Sequence, residues 1–431
     1  MHKKTFQRRF YFRAGMLAAL GLALSVTMSV CQLKTNDDAQ HNRQLSAETT
    51  TPAPLPSPEA SAPAPAEPPP SVTRQAKLIA VGDIMMHRRE IASGYDAKSK
   101  TYHYEAFFQR VKDIFADGDW VTGNLETVLS DRDPRGYTGY PEFNSPPELA
   151  DALKNAGFNI ITTANNHSLD RRERGVIRTL ENLRARGLMT KGTAASREEA
   201  EKPLLVQKNG ITMAFLAYTY GTNGIPIPAG KDYLVPLIDE KRMIRDIAAA
   251  KQAGADLVTI PIHFGQEYQL QPNDFQRKLA VKLFEAGADI ILGSHPHVVQ
   301  PYEFLKATGS DGRERKGVVI YSLGNFISDQ HRYAPPYKPT DTGVIFEVTV
   351  RKHLPEGHTE IAGIQTLPTF VHRYLQQGVM RYRVLPIAAE LAAKNDPLLS
   401  GKDYARLAGF LKEMNVHVNS MAAEGEPVQG R

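Results

Sequence analysis

Six short apolar runs in this chain each hand over, within three residues, to an Asp, Asn or His. Lys77-Leu78-Ile79-Ala80-Val81 leads into Gly82-Asp83, and residues 120–122 into Gly123-Asn124-Leu125-Glu126. Residues 159–163 lead into Ala164-Asn165-Asn166-His167, with Asp170 close behind. Residues 257–261 lead to His263, 290–292 into Gly293-Ser294-His295-Pro296-His297, and 318–323 into Gly324-Asn325-Phe326. Short apolar runs bounded by such residues predict buried strands. Helical periodicity lies between them, over 107–115, 175–186, 239–253 and 275–286. Ser145-Pro146-Pro147-Glu148 opens a further helix, with Ser as cap and proline in the first turn. Asn209-Gly210 joins 204–207 to 212–218 as a hairpin. Runs 343–350 and 359–367 add strands with no helix between them. The chain is therefore α/β with a mixed sheet. In open sheets of this class ligands bind beyond the carboxyl ends of the strands, which makes the six polar ends the candidate site.

Charge sets the partners aside from that site. The chain has 52 Lys+Arg against 47 Asp+Glu, and residues 1–31 hold five of the bases (Lys3, Lys4, Arg8, Arg9, Arg13) and no acid. The remainder is balanced at 47 against 47, so no basic footprint for nucleic acid exists beyond the leader. That leader is a basic stretch followed by an uncharged apolar run, 14–30, ending at the single cysteine, Cys31. It reads as a signal peptide or membrane anchor, with either lipidation of Cys31 or an uncleaved signal-anchor. Arg8-Arg9 faintly resembles a twin-arginine signal. Either way the rest of the chain is expected outside the cytoplasmic membrane and anchored to it. Residues 32–74, rich in proline over 51–70, cannot bury a core and are expected to be a disordered, extended linker. A globular domain is expected over 75–370, and a C-terminal extension with a helix near 403–414 over 371–431.

The residue types at the strand ends suit metal. Five of the 13 histidines fall there: His87, His167, His263, His295 and His297. The i, i+2 spacing of His295 and His297 puts two imidazoles on one side of an extended chain. Carboxylates, an Asn oxygen and neutral imidazoles form a mixed N/O set that fits Mn, Zn or Fe better than calcium or copper. His167 and Asp170 are the catalytic candidates. Glu267, Tyr268, His87 and Asn325 are candidate substrate contacts, and Gly324-Asn325-Phe326 is also read as a tight turn that holds the site. Arg88, Arg89, Arg171, Arg172 and Arg174 lie near the motifs, either as a basic cleft or as a solvated face.

The ordered series from Gly82-Asp83 to Gly324-Asn325-Phe326, with His263-x-Gly265-x-Glu267-Tyr268 within it, resembles the CapA family of poly-γ-glutamate capsule biosynthesis over about residues 77–330. That family is in turn similar to calcineurin-like metallophosphoesterases. The resemblance implies a β-sandwich of mixed sheets flanked by helices, and two metals if the likeness extends to them. It places Asp83 and His297 on the first metal, Glu126 as the bridge, Asn166, His263 and His295 on the second, and His167 as general acid. The phosphoesterases have His two residues after the first Asp; this chain has Met85, and His87 is the nearby candidate replacement. Membrane synthase subunits and poly-γ-glutamate, or another anionic surface polymer, are the implied partners. Three functions remain open: a surface protein of polymer synthesis or export, a metal-dependent hydrolase of a phosphoester or amide, and a metal-free polymer-binding module.

Overall fold

The first apolar run becomes the central strand of a sheet. In the computed structural model of the chain, residues 72–309, 312, 314–336 and 338–423 are described. β1 (Val72–Ile84) pairs antiparallel with β15 (Thr342–Leu354) and parallel with β4 (Trp120–Leu125). Beyond β15 the sheet continues antiparallel through β16 (Thr359–Gln376) and β17 (Val379–Pro386). Beyond β4 it continues parallel through β5 (Ile160–Thr162) and β6 (Met189–Lys191). A short β14 (Asn325–Ile327) joins the end of β1, setting Asn325 opposite Asp83.

The second sheet has the order β12 (Val299–Thr308), β13 (Glu314–Leu323), β11 (Ile290–Ser294), β10 (Leu257–His263), β8 (Ile211–Phe215), β7 (Leu204–Lys208). Its inner strands are parallel, its outer pairs antiparallel, and β9 (Tyr218–Thr219) continues alongside β10. The period-2 alternation of β1 decides the layering. Leu78 and Ala80 face the second sheet in a core shared with Met213, Ile290, Ile320 and Phe346. Trp120 spans that interface and donates its indole N–H to the Val206 carbonyl at 3.1 Å. Ile79 and Val81 face the other way, onto helices.

Those helices are α1 (Arg88–Ser93), α2 (Glu105–Phe108), α3 (Lys112–Ala116) and α4 (Leu149–Ala156), beside the small hairpin of β2 (Tyr95–Asp96) and β3 (Thr101–Tyr102). α5 (Arg172–Arg184) and α6 (Arg197–Glu201) follow β5 and β6. α7 (Glu240–Gln252) and α8 (Asp274–Ala286) cover the outer face of the second sheet. α8 starts on a reciprocal box, Asn273 with Gln276, and stops at Gly287 in the left-handed region (φ 109°). α9 (Ile387–Ala393) and α10 (Gly401–Val418) close the described chain, and α10 packs Leu407, Phe410, Met414 and Val418 onto the two sheets. Among the described residues no helix is long and apolar enough to cross a membrane.

Several expectations need correction. β1 begins at Val72, so residues 72–74 belong to the sheet and not to the linker; the rest of the linker and the segment 1–31 lie outside the described residues. The boundary expected at 370 falls inside β16, because β17 and α10 complete the same layers. The helix expected over 107–115 is broken into α2 and α3. Ser145 does not cap α4: Pro146 and Pro147 make a turn of their own first, and the Ser145 hydroxyl bonds Thr127 at 2.6 Å.

The C-terminal part is tied in by a buried polar chain. Arg383 of β17 donates to His372 Nδ1 of β16 at 2.9 Å and pairs with Asp396 at 2.6 and 3.0 Å. An acceptor imidazole beside a guanidinium must stay neutral, and burial first, then Arg383, lower the His372 pKa to about 4. Between about pH 4 and 6.5 the unfolded chain takes up a proton that the folded chain refuses, so stability falls with acidification across that window. We expect His372→Gln to remove this slope, up to about 1.4 kcal/mol per pH unit. Urea unfolding from pH 4 to 7 checks it; an unchanged slope would contradict the assignment.

Candidate metal centre

Parallel strands from both sheets deliver their next residues to one pocket. Asp83 is the penultimate residue of β1 and Glu126 follows β4; both are 0% exposed. Asn165, Asn166 and His167 follow β5, His263 ends β10, and His295 and His297 follow β11; all are buried. Close packing of backbones makes this possible. A Cβ on Gly82 would lie 1.8 Å from the Gly324 carbonyl, the same oxygen that accepts from Asp83 N at 3.0 Å. Only glycine fits there. Likewise a Cβ on Gly293 would lie 1.9 Å from the Tyr321 carbonyl.

Amides orient the ligand candidates. Asn124 donates to Asp83 Oδ1 at 2.8 Å, and Asn165 donates to Asn124 Oδ1 at 3.1 Å and to the Leu125 carbonyl at 2.8 Å. Asn166 Nδ2 donates to Asn223 Oδ1 at 3.1 Å, which turns its Oδ1 toward His263 Nε2, 3.0 Å away. Glu126 Oε1 lies 3.5 Å from the same Nε2 and 3.9 Å from His297 Nε2. His297 Nδ1 lies 3.2 Å from Asp83 Oδ2 and 3.1 Å from Asn325 Oδ1. Two acceptors at Nδ1 fix the proton there and leave Nε2 with its lone pair facing Glu126.

The fit to metal rests on what is unsatisfied. Both Glu126 oxygens and His295 Nδ1 are buried without a hydrogen-bond partner. Burial, then the neighbouring Asp83 carboxylate, raise the Glu126 pKa well above the ordinary range. Burial, then His297, push the His263 pKa well down; burial, then His263, lower that of His295 to about 2. Imidazoles that stay neutral beside unpaired carboxylate oxygens make a ligand set for a cation. Ligand atoms of Asp83, Glu126 and His297 lie within 4.8 Å of one another, as do those of Glu267, His295 and His297. The donors present therefore fit metal ions.

His167 stands apart from that set. Its Nδ1 lies 2.7 Å from Asp170 Oδ2, which also accepts from Phe143 N at 2.6 Å, and its ring packs edge-on against Phe143. Asp170 orients the imidazole, leaving Nε2 near Asn223 at 3.4 Å.

The expected residues separate as follows. Asp83, Glu126, Asn166, His263, His295 and His297 converge. The His295–His297 segment is not extended, however: both residues have positive φ (100° and 58°), because Pro296 sits in a tight turn that brings the rings to 6.1 Å. Asn325 is fully buried, bonded to the Thr340 carbonyl and facing His297, so it positions that ring and is out of substrate's reach. His87 does not take the place left by Met85; its Nδ1 lies 3.1 Å from Glu90 Oε2. Glu267 and Tyr268 lie at the mouth, with the Tyr268 ring 6.1 Å from His297. Arg171, Arg172 and Arg174 are paired with Asp133, Glu142 and Asp131. Arg88 and Arg89 are exposed and carry no ion pair among the described residues. Tyr220 and Asn223 were absent from the expected site. They follow β9, so the rule applied to the other strand ends also covers them.

The fold and site define a two-sheet α/β protein with a buried carboxylate–amide–imidazole centre at its strand ends. The chain belongs to the family described as bacterial capsule synthesis protein PGA_cap, which matches residues 77–330. The PGA biosynthesis protein CapA of Bacillus subtilis (strain 168) is 34% identical over 262 residues, covering 58% of this chain and 62% of that protein. The capsule biosynthesis protein CapA of Bacillus anthracis is 30% identical over 258 residues, covering 58% and 59%. The chain thus spans about three-fifths of the length of the curated relatives it matches. A looser likeness in shape is to the calcineurin-like phosphoesterase YfkN from Bacillus subtilis, at TM-score 0.38 and 13% identity over 80% of this chain and 98% of that one.

Unpaired buried oxygens destabilise the metal-free protein. We expect Glu126→Met to stabilise the chelator-treated protein by about 1–3 kcal/mol and to abolish the rise in Tm that Mn²⁺ gives the unmodified chain. Thermal unfolding with EDTA and with Mn²⁺ checks both; an equal metal-induced rise in the two proteins would contradict the role of Glu126.

Proposed function

We propose that this chain is a cell-surface protein of the CapA type, acting in poly-γ-glutamate synthesis or export, and that its cleft is a divalent-metal hydrolase centre for a phosphoester or amide bond of an anionic surface polymer. The observation that carries the enzymatic part is Glu126: a fully buried carboxylate with two unpaired oxygens, between Asp83 and the Nε2 atoms of His263 and His297. Family membership and the names of the two CapA relatives support the polymer. The sequence of residues 1–31 supports a location outside the cytoplasmic membrane and anchored to it, beside membrane synthase subunits.

Asp83, Glu126 and His297 would hold one ion, and Glu126, Asn166, His263 and His295 a second, with Mn, Zn or Fe suiting the donors. Such ions polarise the scissile group and acidify water near neutral pH. The chain's own residues do the rest. Asp170 holds His167 through Nδ1, which aims Nε2 at the leaving oxygen as the proton donor of the proposed step. The Asn223 amide nitrogen, 3.4 Å from Nε2, is the group that a leaving oxygen would have to displace there. Phe143 keeps water from one face of the ring. Arg88 and Arg89 open α1 shortly after β1, are exposed and carry no ion pair among the described residues, so they are charges available to a polyanion.

The test uses the full chain in detergent, reconstituted with Mn²⁺, and assays an aryl phosphodiester and poly-γ-glutamate. We expect turnover of at least one, lowered about 10²–10⁴-fold in His167→Ala with metal content unchanged. Asp170→Asn is expected to lower kcat more than it changes KM, since it reaches the substrate only through His167. Metal content near zero after reconstitution, or bound metal with no turnover of either substrate, would contradict the hydrolase reading.

A further inference from the structure

The first metal position lacks a ligand that the family resemblance leads one to expect. Met85 occupies that place. It is 2% exposed, and its thioether lies 3.9 Å from Ser328 Oγ. A thioether is a soft, weak donor, poorly matched to an ion held by two carboxylates. His87 is engaged by Glu90 and packs edge-on against Phe143, 5.3 Å between centroids. Asp83, Glu126 and His297 alone supply three ligand residues, fewer than the four or more that such an ion takes.

Glu267 is a further candidate. One of its carboxylate oxygens is within 4.8 Å of the ligand nitrogens of His295 and His297. Its backbone is held against those histidines: Tyr268 N donates to the Pro296 carbonyl at 2.8 Å, from a left-handed conformation (φ 65°). Two residues earlier Gly265, also at positive φ (101°), packs so closely on Gln276 that a Cβ would lie 2.8 Å from its amide. The loop is thus pinned on both sides of Glu267, with its carboxylate beside the imidazole that the first metal shares. Unlike the other ligands Glu267 is solvent-exposed, so it approaches the histidines from the mouth of the pocket.

We propose that Glu267 is a ligand of the first metal and takes over the role of the histidine that Met85 replaces. This rests on the metal-centre reading above. The resulting set is three carboxylates and one imidazole. It is harder and more anionic than the phosphoesterase arrangement, and it favours Mn²⁺ over Zn²⁺. Because Glu267 rides on an exposed loop, the first ion is also the more readily released of the two.

The experiment strips the full chain with chelator, titrates it with Mn²⁺, follows free Mn²⁺ by electron paramagnetic resonance, and counts bound metal by elemental analysis. The unmodified chain is expected to bind two equivalents. Glu267→Gln is expected to bind one with unchanged affinity and the other roughly 100-fold or more weakly. Adding Met85→His to Glu267→Gln is expected to restore the second equivalent and to shift preference toward Zn²⁺. Two equivalents of unchanged affinity in Glu267→Gln would overturn the proposal and leave the metal centre standing. No metal bound by the unmodified chain would overturn both.

Discussion

A carboxylate pair removed from water governs this structure. Asp83 and Glu126 sit at the ends of adjacent strands with no exposure, and only Asp83 has donors of its own. Two buried negative charges side by side are unfavourable unless something positive comes between them. Of the imidazoles around the pair, His263 and His295 are held neutral by burial, and His297 turns its Nδ1 to Asp83 and Asn325 together. Either a shared proton or a cation must relieve the pair. Lone pairs from Asn166, His263 and His297 converge on the same space, and that favours the cation.

The sandwich makes the arrangement possible. Strands of one sheet bring the carboxylates and Asn166, strands of the other bring the histidines, and the shared core around Trp120 keeps the sheets in register. Glycines at 82 and 293 let backbones approach to hydrogen-bonding distance beneath the pocket, so the ligand candidates stand on rigid strand ends. His167 is set by Asp170 and Phe143, and the mouth is formed by loops carrying Glu267, Tyr268 and Tyr220. Burial, then Glu267, raise the Tyr268 pKa to about 12, so it is a neutral hydroxyl at physiological pH.

Much of this was legible in the sequence because it is local. An apolar run that stops at Gly-Asp or Asn-Asn-His announces both a strand and the polar group at its end, and all six such ends meet. What was hidden depends on tertiary pairing. β17 carries Arg381 and Arg383 and has no apolar block; Arg383 is buried only because Asp396 and His372 receive it. β14 is three residues long and exists because Gly82 lets it approach β1. Asn325 lies in the right motif, yet its burial turns it from a substrate contact into a support for His297. Arg171, Arg172 and Arg174 look free in sequence and are paired with acids of the 131–142 loop. Tyr220 and Asn223 follow a two-residue strand, too short to give a signal of its own.

The most direct measurement is anomalous diffraction from crystals of the protein grown with Mn²⁺, recorded at the manganese edge. The account expects a strong peak bounded by Glu126, Asp83 and His297, with a second on the Asn166–His263 side of Glu126. A map without anomalous density there, with a Glu126 oxygen hydrogen-bonded to Asp83 through a shared proton, would contradict it.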